Sequence, residues 1–267
     1  MKKTLIYQVY TGNRSGLYDR CTESVKEYAS RIGAYYAVQR QPILRIKPDV
    51  FATNRSNESY EKYGGFLPIY EKENSFNYLN TYDSVAVIDA DVFVRDSVSE
   101  SIFDSVPDNY HFAAVVEREM PITEQYKAKI INYSKMQYHN IKTVDWKWNA
   151  LGGEFMNMGV MVMNQSILPY LKGQTPTEFL RRPRFKDFID GQGAWKWSTD
   201  QTLLNTWIRE EKMHVKHLDW KWNGLYTANT KINECNFIHF FLKDLLPNKI
   251  DSFLYICLLY TSDDADE

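Results

Sequence analysis

Cysteine is scarce in this chain of 267 residues, and its three copies fit neither of the usual cysteine architectures. Cys21, Cys235 and Cys257 are odd in number and lack the short spacings of a zinc site. We therefore predict neither a disulfide framework nor a cysteine-based metal centre. This cysteine usage favours a reducing compartment, so we expect a cytoplasmic protein.

The chain also lacks an excess of charge of either sign. It has 32 basic and 34 acidic residues, which give a formal net charge of -2. Such a balance produces no overall field that would attract nucleic acid or an anionic membrane. We therefore expect no nucleic-acid partner, and partner choice must come from local sites.

Long hydrophobic runs are missing as well. The N-terminal segment 1–10 begins with lysines, but Gln8 interrupts its short apolar part, so we predict a first strand and not a signal peptide. The apolar run at 253–260 is far too short to span a bilayer. We expect no integral membrane segment.

Glycine-rich phosphate loops are absent too. The sequence contains neither G-x-G-x-x-G nor G-x-x-x-x-G-K-S/T, which argues against ordinary nicotinamide or P-loop chemistry. The first strand ends instead in Thr11-Gly12-Asn13, a turn that exposes backbone amides before a helix over about 17–32. A strand, turn and helix in this order can hold a nucleotide.

Short apolar strands alternate with helical patterns along the chain. This order is typical of an α/β layered fold, and the length fits one domain over 1–250. Residues 120–150 are polar and weakly periodic, so we interpret them as a variable insertion: a surface excursion, a lid or an acceptor platform. Residues 257–267 resemble translated sequencing-adapter read-through, and we expect a non-native or disordered tail; an ordinary frayed acidic terminus is the alternative.

Two carboxylates stand out in the apolar segment Val85 to Val94. If this segment is one strand, Asp89 and Asp91 point the same way and lie roughly 6.5 to 7 Å apart. That spacing suits two ligands of one divalent cation, which would also relieve their repulsion. The alternative is a strand end where one aspartate caps the following turn.

Three later segments carry further candidate residues. Asn157 and Gly159 lie in an apolar strand predicted over 155–164, where glycine often marks a close backbone approach. Capping explains Ser198 or Thr199 at the next helix start, but it explains Asp200 and Gln201 less well. His239 lies in an aromatic strand predicted over 236–241, either as a hydrogen-bonded core residue or as a ligand.

Tryptophan is concentrated in three short copies of one motif. Asp145-Trp146-Lys147-Trp148-Asn149 recurs as Asp219-Trp220-Lys221-Trp222-Asn223, and Trp195-Lys196-Trp197 shares its centre. On a strand, alternation would place both rings of a copy on one face. Core packing is the default interpretation, and a stacking surface for sugars is the alternative.

The ordered motifs together resemble those of family 8 glycosyltransferases, which include glycogenin and bacterial lipopolysaccharide galactosyltransferases. The resemblance spans about residues 4–245, and its specificity lies in the order of four segments. These are Ile88-Asp89-Ala90-Asp91, Asn157 to Asn164, Asp200 to Asn205, and Ile238-His239-Phe240.

The resemblance implies a GT-A fold, in which a Rossmann-like nucleotide-binding mixed sheet is flanked by helices. It implies a retaining transferase that moves a hexose from UDP-glucose or UDP-galactose to a glycan, lipid-linked or protein acceptor. It also implies a metal, Mn²⁺ or alternatively Mg²⁺, held by Asp89, Asp91 and His239. Carboxylate oxygens with one imidazole suit such a cation.

The resemblance also assigns donor-binding residues. Tyr10, Thr11 and Asn13 match the turn that holds uracil and ribose, and Ala90 belongs to the same donor site. Lys72 matches a basic position facing the donor; a solvated helix lysine is the alternative. Asn157 and Gly159 would lie under the sugar, Asp200 would bind its hydroxyls, and Gln201 would lie near the anomeric carbon.

The sequence departs from the family after His239. Relatives continue with Gly and then Lys-Pro-Trp, which closes over the diphosphate, whereas here the chain runs Phe240-Phe241-Leu242-Lys243. Lys243 or Lys249 is the candidate replacement. The departure leaves open a second interpretation, a non-catalytic carbohydrate-binding or nucleotide-binding module with a transferase-like fold.

Overall fold

The computed structural model of the chain describes residues 2–11, 15–49 and 65–241. Within these ranges the strands form two sheets. The six strands of the large sheet lie in the order β2-β1-β3-β6-β5-β7, and the three strands of the small sheet in the order β4-β9-β8. The strands are β1 (Thr4–Val9), β2 (Tyr35–Gln39), β3 (Ser84–Ile88), β4 (Val92–Val94), β5 (Phe112–Val116), β6 (Met156–Asn164), β7 (Val215–His217), β8 (Gly224–Leu225) and β9 (Phe237–His239).

The large sheet is mixed. Strand β1 runs parallel to β2 and β3, β6 runs antiparallel to β3 and β5, and β7 runs parallel to β5. Its central strands are apolar on both faces, and every residue of β5 is buried. Because helices cover both faces of such a sheet, its strands read as continuous apolar runs. The predicted α/β class with a mixed sheet is confirmed.

Six α-helices accompany the strands in the described part of the chain. They are α1 (Gly16–Arg31), α2 (Glu124–Tyr138), α3 (Leu168–Leu171), α4 (Pro176–Leu180), α5 (Lys186–Asp190) and α6 (Asp200–Glu210). Gly33 ends α1, because its φ of +69° suits glycine, and the Ala34 amide then donates to the Ala29 carbonyl at 2.9 Å. Pro68–Asn80 is a 3-10 helix.

The segment that carries the two aspartates is not one strand. Strand β3 ends at Ile88 and pairs with β6, whereas β4 begins at Val92 and pairs with β9 in the small sheet. The chain changes sheets between them through a turn in which the Val92 amide donates to the Asp89 carbonyl at 3.1 Å. The predicted strand over 85–94 is therefore wrong, and strand periodicity does not set the spacing of the carboxylates.

Two further segments can be compared with the sequence interpretation. The polar segment 120–150 contains α2, whose Tyr126, Ile130 and Tyr138 are buried, and its role as a variable insertion stays a prediction. None of the three tryptophan motifs lies in a strand of the described chain, and the expected shared face is absent there. Trp146 and Trp222 are buried in the core, whereas Trp148 and Trp197 are 41% and 52% exposed. Each copy therefore has its own environment.

Among the residues that the structure describes, no helix has the length and apolar character needed to cross a membrane.

Candidate functional site

Pairing between β4 and β9 brings together residues that are far apart in sequence. Strand β3 delivers Asp89 and Asp91 at its carboxyl end, the edge at which open α/β sheets bind ligands. The register of the small sheet places Val92 opposite His239. The Phe240 amide also donates to the Asp91 carbonyl at 2.9 Å. These contacts fix the imidazole beside the two carboxylates.

Asp89, Asp91 and His239 form a cluster that fits a divalent cation. The Nε2 atom of His239 lies 3.3 Å from Asp91 Oδ1 and 3.8 Å from Asp89 Oδ2. One ligand atom from each residue lies within 4.8 Å of the others. Two ligands about 2.1 Å from one ion can be at most about 4.2 Å apart, so both imidazole distances are compatible with a shared ion. The structure thus brings the three predicted ligands together.

Gly159 allows this cluster to close. A Cβ atom at this position would lie 2.3 Å from His239 Cε1 and 2.6 Å from Nδ1, far inside van der Waals contact. The Gly159 carbonyl also accepts the Asp89 amide at 2.8 Å. Glycine is required because the imidazole packs directly on the backbone of β6.

Lys72 is buried and links two carboxylates. Its Nζ atom lies 2.7 Å from Asp200 Oδ2 and 3.0 Å from Asp89 Oδ1, and it donates to the Met158 carbonyl at 3.2 Å. The alternative of a solvated helix lysine is therefore wrong. Burial disfavours the ammonium, but Asp200 and Asp89 outweigh that effect and raise the pKa of Lys72. The lysine stays charged and holds one oxygen of Asp89.

Burial and neighbouring charges shift the pKa of Asp89 and of His239. Burial raises the pKa of Asp89, partly offset by Lys72 and reinforced by Asp91. Burial disfavours the imidazolium of His239, but Asp91 and then Asp89 raise its pKa above the ordinary value. Carboxylates that share a pocket in this way favour a cation between them.

A chain of hydrogen bonds between asparagine side chains reaches the Nδ1 side of the His239 imidazole. The Nδ1 atom of His239 is 3.0 Å from Asn223 Oδ1, and Asn223 Nδ2 donates to Asn157 Oδ1 at 2.8 Å. The Gly159 amide donates to the same Asn157 oxygen at 2.9 Å. Sequence reasoning placed Asn157 in the site but saw Asn223 only as the end of a tryptophan motif. No sequence signal distinguishes Asn223 from Asn149 in the other copy.

Glu117 is a second functional candidate that the sequence did not reveal. It is buried directly after β5, and its Oε1 accepts the Tyr126 hydroxyl at 2.7 Å. Burial raises its pKa, while Tyr126 partly opposes the shift. The only available signal was a charged residue at the end of the apolar run His111 to Val116.

Gln201 is the second residue of α6. Its backbone amide donates to Thr199 Oγ1 at 3.1 Å, so Thr199 caps the helix. Its side-chain carbonyl accepts the Met158 backbone amide at 3.2 Å. Helix capping therefore explains Thr199, whereas Asp200 and Gln201 face other partners.

A cavity of about 790 Å³ connects these groups. Its polar wall includes Asp89, Asp91, His239 and Glu117, and its apolar wall includes Ile130 and Trp197. It is also lined by the predicted residues Lys72, Asn157, Gly159, Asp200 and Gln201.

Other predicted residues are not brought to the cavity. Tyr10 is buried, with its hydroxyl accepting the Ser15 amide at 2.6 Å, and neither Tyr10 nor Thr11 lines the cavity. Ala90 lies in the turn between the two aspartates but does not line it either. Asn13, Lys243 and Lys249 lie outside the described residues.

No family model matches the chain, and no curated protein matches its sequence. Solved structures do match. The galactosyltransferase LgtC in complex with donor and acceptor sugar analogs is 16% identical, with a TM-score of 0.52 over 97% of this chain and 95% of that one. An active-site mutant of LgtC is 15% identical, with a TM-score of 0.50 over the same shares. Mouse xyloside xylosyltransferase 1 is 14% identical, with a TM-score of 0.46 over 89% and 96%.

The likeness to the two LgtC structures identifies the fold. It covers nearly the whole of both chains, so it is not confined to one part of the sheet. The protein has the GT-A fold of these glycosyltransferases, and the fold implied by the sequence resemblance is confirmed.

Proposed function

We propose that this protein is a metal-dependent retaining glycosyltransferase that moves glucose or galactose from its UDP-sugar to an acceptor. The observation that carries the proposal is the cluster of Asp89, Asp91 and His239 on the wall of a large cavity in a GT-A fold. A fold alone does not determine function, but ligands at this edge of the sheet give the site its chemistry.

Asp89, Asp91 and His239 are the residues that would hold the cation, Mn²⁺ by preference and Mg²⁺ as an alternative. Carboxylate oxygens suit Mg²⁺ and Mn²⁺ alike, whereas an imidazole nitrogen is a ligand typical of transition metals and so favours Mn²⁺ over Mg²⁺. When bound, the cation would supply Lewis-acid stabilisation of the departing diphosphate. Lys72 holds Asp89 Oδ1, which leaves Asp89 Oδ2 on the side of His239.

Asp200 and Gln201 are proposed to position the transferred sugar. Both begin α6 and line the cavity, and Lys72 fixes Asp200 by an ion pair. We assign no covalent nucleophile, because an amide is a poor one. Attack of the acceptor on the face from which UDP leaves, with the phosphate taking the acceptor proton, fits such a site. Positioning and electrostatics would then supply most of the rate.

The rest of the donor site remains a proposal from the resemblance. Tyr10, Thr11, Asn13 and Ala90 would surround the nucleoside, and Lys243 would approach the diphosphate. Asn157 and Gly159 would lie under the sugar. The acceptor would be a glycan, a lipid-linked sugar or a protein, and the expected location remains cytoplasmic.

Ligand-dependent stability tests the metal site directly. UDP with Mn²⁺ should raise Tm, because a ligand that binds only the folded state stabilises it. Asp91→Ala should abolish the shift, whereas the control Asp96→Ala should keep it, since Asp96 is exposed outside the cavity. An equal shift in Asp91→Ala and the wild type would overturn the metal assignment.

Turnover tests the reaction. A panel of UDP-sugars with Mn²⁺ should identify one hexose donor whose hydrolysis releases UDP faster than the others, and Asp91→Ala should suppress it. The second candidate is a non-catalytic sugar-binding or nucleotide-binding module, which the departure at Phe240 and Phe241 favours. Binding of UDP and Mn²⁺ without turnover of any UDP-sugar would support that alternative.

A further inference from the structure

We propose that Asn223 is a positioning residue that holds His239 in the tautomer needed to bind a cation. The inference rests on the metal site of the proposed function and extends it to a residue outside the ligand set. Asn223 is fully buried, and its side chain stands between Asn157 and His239.

A backbone amide determines the orientation of both asparagine side chains. The Gly159 N–H can only donate, so the Asn157 atom 2.9 Å away must be its carbonyl oxygen. The Asn223 atom that faces this oxygen at 2.8 Å must then be its NH₂ group. Asn223 consequently presents its carbonyl oxygen to His239 Nδ1 at 3.0 Å, and Nδ1 must carry a proton.

The consequence lies on the other side of the ring. A neutral imidazole with its proton on Nδ1 has a lone pair on Nε2, the atom that faces Asp91 and Asp89 at 3.3 and 3.8 Å. Metal-binding histidines commonly donate their other N–H to such a partner, which fixes the tautomer and the ring orientation. Asn223 fills that role here.

The backbone around Asn223 holds it in place. It ends the 3-10 helix Trp220–Asn223, and the next residue, Gly224, pairs with Ile238 in the small sheet. Asn157, Asn223 and His239 are all buried, so water competes little for their hydrogen bonds. The Gly159 backbone amide on β6 therefore fixes, through Asn157 and Asn223, which ring nitrogen of His239 carries the proton.

Substitution and metal titration test this role. Asn223→Ala should weaken Mn²⁺ binding 10- to 100-fold by calorimetry, the usual effect of losing such a partner. Asn223→Asp keeps an acceptor for Nδ1–H but loses the NH₂ group that donates to Asn157, so it should recover only part of the affinity. Asn229→Ala is the control, because Asn229 is also buried but does not line the cavity. Its side chain donates to Cys235 Sγ and accepts from the Lys231 backbone amide.

¹⁵N NMR of protein labelled with ¹⁵N-histidine reports which ring nitrogen of His239 is protonated. Loss of packing alone would not change this tautomer. With no metal and at a pH where the ring is neutral, the wild type should show a protonated Nδ1 and a bare Nε2 on His239, identified by the signal missing in His239→Gln. Asn223→Ala should show both tautomers, and Asn223→Asp should keep the wild-type pattern.

Each result has a defined meaning. A wild-type His239 protonated on Nε2, or Mn²⁺ affinity in Asn223→Ala within twofold of the wild type, overturns the role of Asn223. If Asn223→Ala does not fold, the wild-type tautomer and the Asn223→Asp affinity still decide. A wild type that binds no Mn²⁺ overturns the proposed function instead, while the tautomer measurement stands apart from it.

Discussion

Lys72 Nζ lies 2.7 Å from Asp200 Oδ2, and the pair is almost completely buried. The same ammonium lies 3.0 Å from Asp89 Oδ1. One buried cation thus ties a predicted metal ligand to the residue predicted to bind sugar hydroxyls. Because neither carboxylate has another lysine or arginine at these distances among the described residues, the site depends on this one side chain.

Lys72→Met should destabilise the protein by about 3 to 5 kcal/mol, because it leaves buried carboxylates without their partner. Urea unfolding measures the loss. The control Lys26→Met should change stability little, since Lys26 is exposed and forms an ion pair with Glu23 at 3.3 Å on the same helix. A loss below about 1 kcal/mol in Lys72→Met would contradict the bridging role.

Gly159→Ala should damage both stability and metal binding. The added Cβ would approach His239 Cε1 to 2.3 Å, so the ring or strand β6 must move. Overpacking of this kind costs about 1 to 3 kcal/mol, and the displaced imidazole should weaken Mn²⁺ binding. Calorimetric titration and urea unfolding measure the two effects.

Gly153→Ala provides the matched control for this change. Its nearest new contact would be 3.4 Å from Trp146 Cβ, an ordinary van der Waals distance. We expect Gly153→Ala to bind Mn²⁺ like the wild type. Equal Mn²⁺ affinity in both alanine variants would show that the close approach at Gly159 does not matter.

The sequence identified which three residues form the cluster, but it did not predict how Asp89 and Asp91 are arranged. Asp89 and Asp91 were expected to lie side by side on one strand, yet they lie in a turn between two sheets. The order of motifs along the chain identified the correct partners because it did not depend on that local geometry. Strand periodicity failed because a change of sheet leaves no mark in an apolar run.

Buried polar partners were the least predictable part of the site. Asn223 acts through a hydrogen bond to Asn157, which lies 66 positions away in the sequence. Local patterns carry no information about such pairs. Lys72 illustrates the same limit, since the sequence left open a solvated helix lysine, whereas the fold buries Lys72 against Asp200.

Truncation of two tryptophans of the repeated motif should change the stability of the protein to very different extents. Trp146→Ala should cost about 3 to 5 kcal/mol, because the ring is buried and packs at 4.4 Å, centroid to centroid, from Tyr138. Trp197→Ala should leave stability nearly unchanged, because the ring is 52% exposed at the cavity wall. Under the proposed function, it should instead raise the acceptor KM with UDP binding intact. An acceptor KM equal to that of the wild type would remove Trp197 from the acceptor site.

Glu154 should make the stability of the fold sensitive to acid. Its carboxylate pairs with Arg118 at 2.9 Å and Arg209 at 2.7 Å. Burial raises the pKa of Glu154, but Arg209 and then Lys147 outweigh that effect and hold the pKa below the ordinary value. Since the folded pKa is lower than the unfolded value of about 4.3, this stabilisation is complete above that value. It is lost as the pH falls through the folded pKa.

Glu154→Gln should therefore reduce the free energy of unfolding at pH 7 by about 1.5 to 3 kcal/mol, the range for hydrogen bonds to charged groups. The difference from the wild type should shrink below about pH 4, because the wild-type carboxylate is then increasingly protonated. Urea unfolding across this range measures both limits. Glu124→Gln is the control, since the Glu124 side chain is 88% exposed and pairs with Lys127 on its own helix. A Glu154→Gln difference that stays constant with pH would show that shape, and not charge, explains the effect.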